Sequence, residues 1–246
     1  MASLHVASLA LVLVNAAGLG GTSGPEEIQT LMAGTLKVAV TSAAPESPHD
    51  PQTWIRRYLE RFAEEQGLTI AWIVVPFDQS WLLASRGEVD VVATNVASFK
   101  DRTQAGATFT APFLFERRTL RIRPEDRYRF AHIDDFAGHT VGVVRGTAAE
   151  RDVRRRAPQG VAVASTGTFA ELYERFEAGR IDAVAEAEYY ALDGSVIPSH
   201  GPEVVLVDQH DLTPGQREES VFVARDRSTN LLAALNRFIA RTCFPR

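Results

Sequence analysis

VDVVATNVASFKDRTQAGATFTAPF, residues 89–113, is the stretch whose reading decides the fold. Val89, Val91, Val92 and Ala93 form a short, β-branched run introduced by Gly87, the pattern of a buried parallel strand rather than a helix. The chain then turns polar, with Thr94, Asn95 and Ser98 at the strand's carboxyl end and Arg102 a few residues later. Open α/β sheets bind ligands beyond the carboxyl ends of their strands. A guanidinium placed there holds a carboxylate through two parallel hydrogen bonds, a geometry that lysine does not offer.

On the amino-terminal side, residues 26–33 read as a short helical lead-in and residues 36–40 as a first core strand. Asp50 and Pro51 mark a helix start that sets Trp54, Tyr58, Leu59 and Phe62 on one face and stops at Gly67. Residues 68–75 are the next strand, and Asp78 is the expected cap of a short helix carrying Trp81 and Leu82. This is a βαβαβ order, which assembles naturally as a parallel sheet.

The second half repeats the plan, with strands at 140–144, 161–164 and 181–185 and helices at 148–156 and 169–176. KVAVTSAA at 37–44 is echoed by TVGVVRGTAA at 140–149, and GEVDVVATN at 87–95 by GRIDAVAEA at 179–187. Both echoes fall in the same order at offsets of about a hundred residues, which predicts two lobes of similar topology. A segment at 203–207, a polar stretch at 213–219, a strand at 220–224 and a helix at 228–240 follow. The last strand and helix can return to the first lobe. The expected division is therefore 1–25 as leader, 30–116 as lobe one, 117–216 as lobe two and 217–246 as lobe one again. Two chain crossings, near 115–119 and 215–220, would form a hinge.

With 246 residues, 45% of them hydrophobic, the chain can bury a sizeable core. A net charge of -5 gives no general attraction for nucleic acid or anionic membrane, so no nucleic-acid partner is expected; Arg154, Arg155 and Arg156 read as a solvated helix face. Cys243 is the only cysteine, which leaves no disulfide framework and no cysteine-based metal site within one chain. Residues 9–14 followed by Ala16, Ala17 and Gly18 resemble a secretory leader, although no Lys or Arg precedes them. No cysteine stands near that leader to take a lipid anchor, and no apolar run reaches the roughly 18 residues of a spanning helix. His49, His132, His139, His200 and His210 show no metal-ligand spacing. No cofactor is expected.

An ordered series of segments resembles the family 3 extracellular solute-binding proteins, the type II periplasmic binding fold that serves amino-acid ABC transporters. The carrying pieces are TLKVAV at 35–40, RGEVDVV at 86–92, KDR at 100–102 with FTAPF at 109–113, VGVVRGTAAE at 141–150, AGRIDAV at 178–184 and LLAALNRFI at 231–239. The resemblance implies a two-lobed α/β fold in which each lobe is a mainly parallel sheet flanked by helices and a two-strand hinge joins them. It also implies that Arg102 holds a ligand carboxylate, that Gly146 and Thr147 add donors at a helix N-terminus, and that Phe77 presents an aromatic wall. Asn95 and Ser98 are pocket donors on the same reading.

The chain departs from the family's pattern in four places. The acidic residue that usually receives the ligand's amino group falls on Ala187, with Glu186 and Glu188 on either side, so the partner of that amino group is left open between them. The loop SAAPESPHDPQTW, residues 42–54, is short and lacks the usual paired aromatics, with His49 or Trp54 as stand-ins. Asn95 and Ala97 replace the customary Gly and Thr before the arginine, and the chain stops at ARTCFPR, which is expected to leave Cys243 and Phe244 exposed. The implied function is a secreted, monomeric, non-catalytic receptor that carries a small carboxylate-bearing solute, an amino acid or relative, to an ABC transporter permease. The rival expectations are a dehydratase of the same fold that uses Glu186 or Glu188 as general acid, and a sensory module of a transglycosylase or sensor kinase.

Overall fold

The computed structural model describes residues 27–42, 51–242 and 244. The leader-like stretch, His49, Asp50 as a helix cap and Cys243 lie outside the described residues. Eleven strands run β1 (Thr35–Val40), β2 (Thr69–Val74), β3 (Val91–Ala97), β4 (Ala107–Phe109), β5 (Leu114–Ile122), β6 (Thr140–Val144), β7 (Ala162–Thr166), β8 (Ala183–Tyr190), β9 (Val196–Ile197), β10 (Val205–His210) and β11 (Glu218–Arg225). Four α-helices accompany them: α1 (Pro51–Glu65), α2 (Ala148–Arg156), α3 (Phe169–Glu177) and α4 (Leu231–Arg241).

The hydrogen-bonded path is β2-β1-β3-β11-β5-β8-β6-β7. β1 is parallel to β2 and β3, and β6 is parallel to β7 and β8, so each end of the path is a three-stranded parallel unit. β11 lies antiparallel to β3 and to β5, and β5 lies antiparallel to β8. The antiparallel pair β5 and β11 is therefore the seam between two halves of like topology.

Each half has its own core. In the first, Leu36, Val38 and Val40 of β1 meet Tyr58, Leu59 and Phe62 of α1 and Leu235 and Phe238 of α4. In the second, Val141 and Val143 of β6 meet Phe130, Phe136 and Val153. The apolar spacing that predicted α1 is the spacing of its buried face. α2 and α3 begin at Thr147 and Thr168, whose hydroxyls accept from the amides of Glu150 and Glu171.

The internal echo has a physical basis in two aspartates. Asp90 donates its amide to the Lys37 carbonyl at 2.9 Å and accepts the Lys37 amide on its carboxylate at 3.0 Å. Asp182 does the same with Thr140, at 2.8 Å in each direction. Each aspartate pins the first strand of its half to the third, which sets the parallel register. Asp90 is fully buried and also accepts from the Leu31 amide and the Ser228 hydroxyl, both at 2.8 Å.

Several expectations are corrected. Residues 27–33 form no helix, because the Leu31 amide is drawn to Asp90 and Met32 bridges to Thr35. Asp78 caps nothing; the turn Ser80–Leu82 is a 3₁₀ helix that starts from Gln79 in the left-handed region. β3 does not stop at Ala93 but runs through to Ala97. Arg156 is not a solvated charge, since it reaches Asp152, Asp208 and His210. Phe244 is buried, edge-on to Trp54, Tyr58 and Phe113, so the C-terminal aromatic plugs the first core instead of standing exposed.

Deleting a buried carboxylate strands the donors it served, so the two aspartates should differ in worth. Asp90→Ala is expected to lower unfolding free energy by about 3 kcal/mol, and Asp182→Ala by about 1 kcal/mol, in urea titrations. Equal losses would contradict this account of the register.

Candidate functional site

The cavity between the halves has a volume of about 830 Å³. Gln52, Phe77, Asn95 and Arg102 line it from the first half, and Thr147, Phe169, Tyr173, Glu186 and His200 from the second. Glu116 and Arg118 of β5 and Glu218 of β11 form its floor.

Asn95 reaches the cavity through a bulge. Between β3 and β11 the register passes from Val92 opposite Val223 to Val96 opposite Val221, so three residues of β3 face one of β11. Asn95 takes up this slack at φ 63, in the left-handed region that asparagine tolerates better than most residues. Its Nδ2 donates to Glu116 Oε1 at 2.7 Å, while its Oδ1 is buried without a hydrogen-bond partner.

Arg102 ends the 3₁₀ turn Lys100–Arg102 and is 1% exposed. The rings of Trp81, Phe99 and Phe77 surround its guanidinium, with centroids at 4.7, 4.8 and 5.5 Å. Nη2 donates to the Gly146 carbonyl at 2.7 Å and Nη1 to the Ala97 carbonyl at 3.4 Å, while Nε has no hydrogen-bond partner. Burial, aided by the neighbouring Arg151, pulls its pKa down to about 10, so it stays charged at neutral pH.

The Gly146 contact joins the two halves. At φ +79 a side chain on Gly146 would be strained, and a Cβ would lie 2.8 Å from Asp78 Oδ1. The Gly146 amide is engaged by Glu150 at 2.8 Å, and the Thr147 hydroxyl donates to the Val144 carbonyl at 2.7 Å. Thr147 lines the cavity and Gly146 stands just behind it. Phe77, from the first half, sits in an apolar cluster with Val144, Leu172, Phe176, Ile181 and Val184 of the second. Outside the cavity Arg151 pairs with Asp101 at 2.8 Å across the same divide.

Glu186 and Glu188 part company. Glu188 lies opposite Arg117 in the β5 and β8 register and accepts from Tyr190, away from the cavity lining. Glu186 lines the cavity, accepts from the Tyr173 hydroxyl at 2.8 Å, and has His200 Nε2 2.9 Å and Arg121 Nη1 3.9 Å away. Burial pushes its pKa up to about 7 against the opposing pull of Arg121 and Tyr173.

The floor was missed in the sequence. Glu116 stands directly opposite Glu218 in the antiparallel pair, an arrangement that repels. Arg118, two residues along the same face of β5, pairs with both, reaching Glu218 Oε1 at 3.2 Å. Burial alone would lower the Arg118 pKa, but the two glutamates raise it instead. Glu116 also accepts from Asn95 and from the Ser220 hydroxyl. Glu218 Oε2 has no hydrogen-bond partner, and burial together with Glu116 raises the Glu218 pKa although Arg118 opposes the shift. The available signal was FERRTLRI, where Glu116 and Arg118 occupy the alternate positions that Leu114 and Leu120 bury.

No protein-family model matches the chain, and no curated protein matches it by sequence. Among solved structures, AbpA from Streptococcus pneumoniae, an amino acid ABC transporter substrate-binding protein bound to L-arginine, aligns at TM-score 0.67 and 17% identity, covering 85% of this chain and 88% of that one. The arginine-bound form of truncated ArgBP from T. maritima aligns at TM-score 0.65 and 19% identity, covering 84% and 95%. The ancestral amino acid-binding protein AncCDT-1, a precursor of cyclohexadienyl dehydratase, aligns at 0.67 and 19%, covering 85% and 89%.

The raised Glu186 pKa fixes the sign of a pH effect. The unfolded carboxyl releases its proton near 4.5 and the folded one near 7, so the folded chain holds more protons between those values. The stabilising contribution is present at low pH and is lost as pH rises through about 7. In ligand-free protein, Glu186 should contribute a fall of roughly 1–3 kcal/mol between pH 5.5 and 8, a share that Glu186→Gln removes in urea titrations, while Glu218, also raised to about 7, keeps the remaining slope. A slope unchanged by the substitution would contradict the assignment. The strand order, the paired halves and these alignments together establish that the chain has the two-lobed type II solute-binding fold.

Proposed function

We propose that this chain is a solute-binding protein that captures a small carboxylate-bearing solute, an amino acid or relative, between its lobes. It delivers the solute to an ABC transporter permease on the outer side of the cytoplasmic membrane, and it performs no chemistry on it. The observation that carries the reading is the cavity itself, walled by both halves, floored by the strands that join them, and lined with charged groups shielded from water. Its volume lies within the range of roughly 300–1,000 Å³ usual for small-molecule sites. Flexing at β5 and β11 opens and closes it, with the solute adding contacts to both walls on closure.

Arg102 is the proposed carboxylate anchor. Two of its donors are engaged, but a guanidinium has five, and the aromatic rings around it exclude water and strengthen any hydrogen bond to an anion. Asn95 and Phe77 complete this wall. On the facing wall the N-terminus of α2, at Gly146 and Thr147, adds its positive dipole end.

A cleft enzyme is the second reading, favoured by a Glu186 carboxyl that holds its proton to about pH 7 beside Tyr173. Turnover of a bound solute that Glu186→Gln abolishes would establish that reading over the first.

Thermal shift with amino acids and small carboxylates tests the receptor. A solute at a hundred times its dissociation constant adds about 2.7 kcal/mol of stability. At least one carboxylate should raise the melting temperature of the wild type, and Arg102→Ala should lose the response. Stabilisation that survives the substitution would remove Arg102 from the role, and no stabilisation by any compound would defeat the receptor reading.

A further inference from the structure

The chain between β8 and β10 does not stay in the second half. β8 begins there, parallel to β6, but its last residues pass the seam: Tyr189 and Tyr190 lie opposite Glu116 and Phe115 of β5, whose other edge meets Glu218 and Glu219 of β11. A turn at Asp193 and Gly194 then folds β9 back on the two tyrosines. Ile197 is buried in the core cluster of the first half, where Tyr189 and Ala191 also pack, and Tyr189 stands edge-on to Trp54 of α1 at 6.0 Å. The chain next returns along the cavity. Ser199, His200, Gly201 and Glu203 line its wall, His200 Nε2 lies 2.9 Å from Glu186, and β10 rejoins the second half beside β5.

We propose that residues 191–204 are a strap that limits how far the cavity opens to admit a solute. Its tip is held in the first half and its ends in the second, so parting the walls stretches it. This deepens the receptor reading, on which it rests, by adding a third tie abreast of β5 and β11. Withdrawing the tip would return Ile197 to water, which the hydrophobic effect opposes. Residues 198–204 form no strand or helix, so this limb yields first and carries His200 away from Glu186. Pro198 and Pro202 restrict its backbone, which keeps its reach short.

The test is a pair of spin labels read by double electron-electron resonance on the ligand-free full chain, with Cys243→Ser removing the native thiol. Glu64→Cys on α1 and Glu174→Cys on α3, both at exposed positions, report the separation of the halves. The unaltered strap should give one narrow distance population. Inserting Gly-Ser-Gly between Gly201 and Pro202 lengthens the strap by up to about 10 Å and should add a population several ångströms longer. Ile197→Ser should do the same by releasing the tip. The same insertion between Gln159 and Gly160, at the exposed turn that joins α2 to β7, should change nothing. The strap insertion touches neither core and decides the matter if Ile197→Ser fails to fold. Distances unmoved by the strap insertion, or moved equally by the insertion at Gln159, would overturn the strap, as would an unaltered strap that already samples the longer distances. The readout needs no solute, so the two readings fail separately. If the strap insertion parts the halves while no carboxylate stabilises the chain, the strap stands and the receptor falls.

Discussion

The two strands that join the halves meet at a pair of facing glutamates held together by one arginine. Glu116 and Glu218 are opposed in the β5 and β11 register, both nearly excluded from water, and Arg118 reaches across to each. Replacing such a trio with apolar groups is often neutral or stabilising in other proteins, so its presence at a seam argues for specificity more than for stability. Apolar side chains here would weld the crossing into one continuous core. A buried ionic joint keeps the two hydrophobic clusters separate and places charge where the cavity needs a floor.

The contacts across the cavity mouth follow from the same division. Each half completes its own core, so what remains between them is a set of local engagements. Phe77 inserts among Val144, Phe176 and Val184, Arg102 donates to the Gly146 carbonyl, and Arg151 pairs with Asp101. The absence of a side chain on Gly146 lets the loop at Asp78 come close enough for the first two. Exposed ion pairs such as Arg151 with Asp101 contribute little, whereas the shielded Arg102 bond and the burial of Phe77 supply most of the hold between the walls.

Much of the architecture was legible in the sequence because it is written in periodicity and punctuation. The helix 148–156 and the strand 140–144 were read to the residue, and the two echoes correspond to the Asp90 and Asp182 staples that set each parallel register. What escaped depends on partners distant in the chain. The bulge at Asn95 requires β11 opposite it, the loss of a lead-in helix requires Asp90, and the burial of Phe244 requires a gap among Trp54, Tyr58 and Phe113. The site divides in the same way. Arg102, Asn95, Phe77, Thr147 and Glu186 line the cavity, while Glu188 turns towards Arg117 and Tyr190. Glu116, Arg118 and Glu218 were passed over because charges on a crossing strand look like solvated ones until the facing strand is known.

The cavity carboxylates also bear on the choice between receptor and enzyme. A group that delivers a proton must remain protonated once the ligand is bound, whereas a group that receives a cation must ionise. Around Glu186, Tyr173 donates to it and Arg121 stands 3.9 Å away, and both pull towards the ionised form against the burial that raises its pKa. Around Glu218, burial and the facing Glu116 raise the pKa, while Arg118 and the more distant Arg102 oppose the shift. Both glutamates hold a proton more tightly than an exposed carboxyl chiefly because burial disfavours their charge, so the shift gives no independent support to proton transfer. Catalysis would need, in addition, a group positioned to take a proton back, and the Tyr173 hydroxyl beside Glu186 is turned towards that carboxylate as a donor.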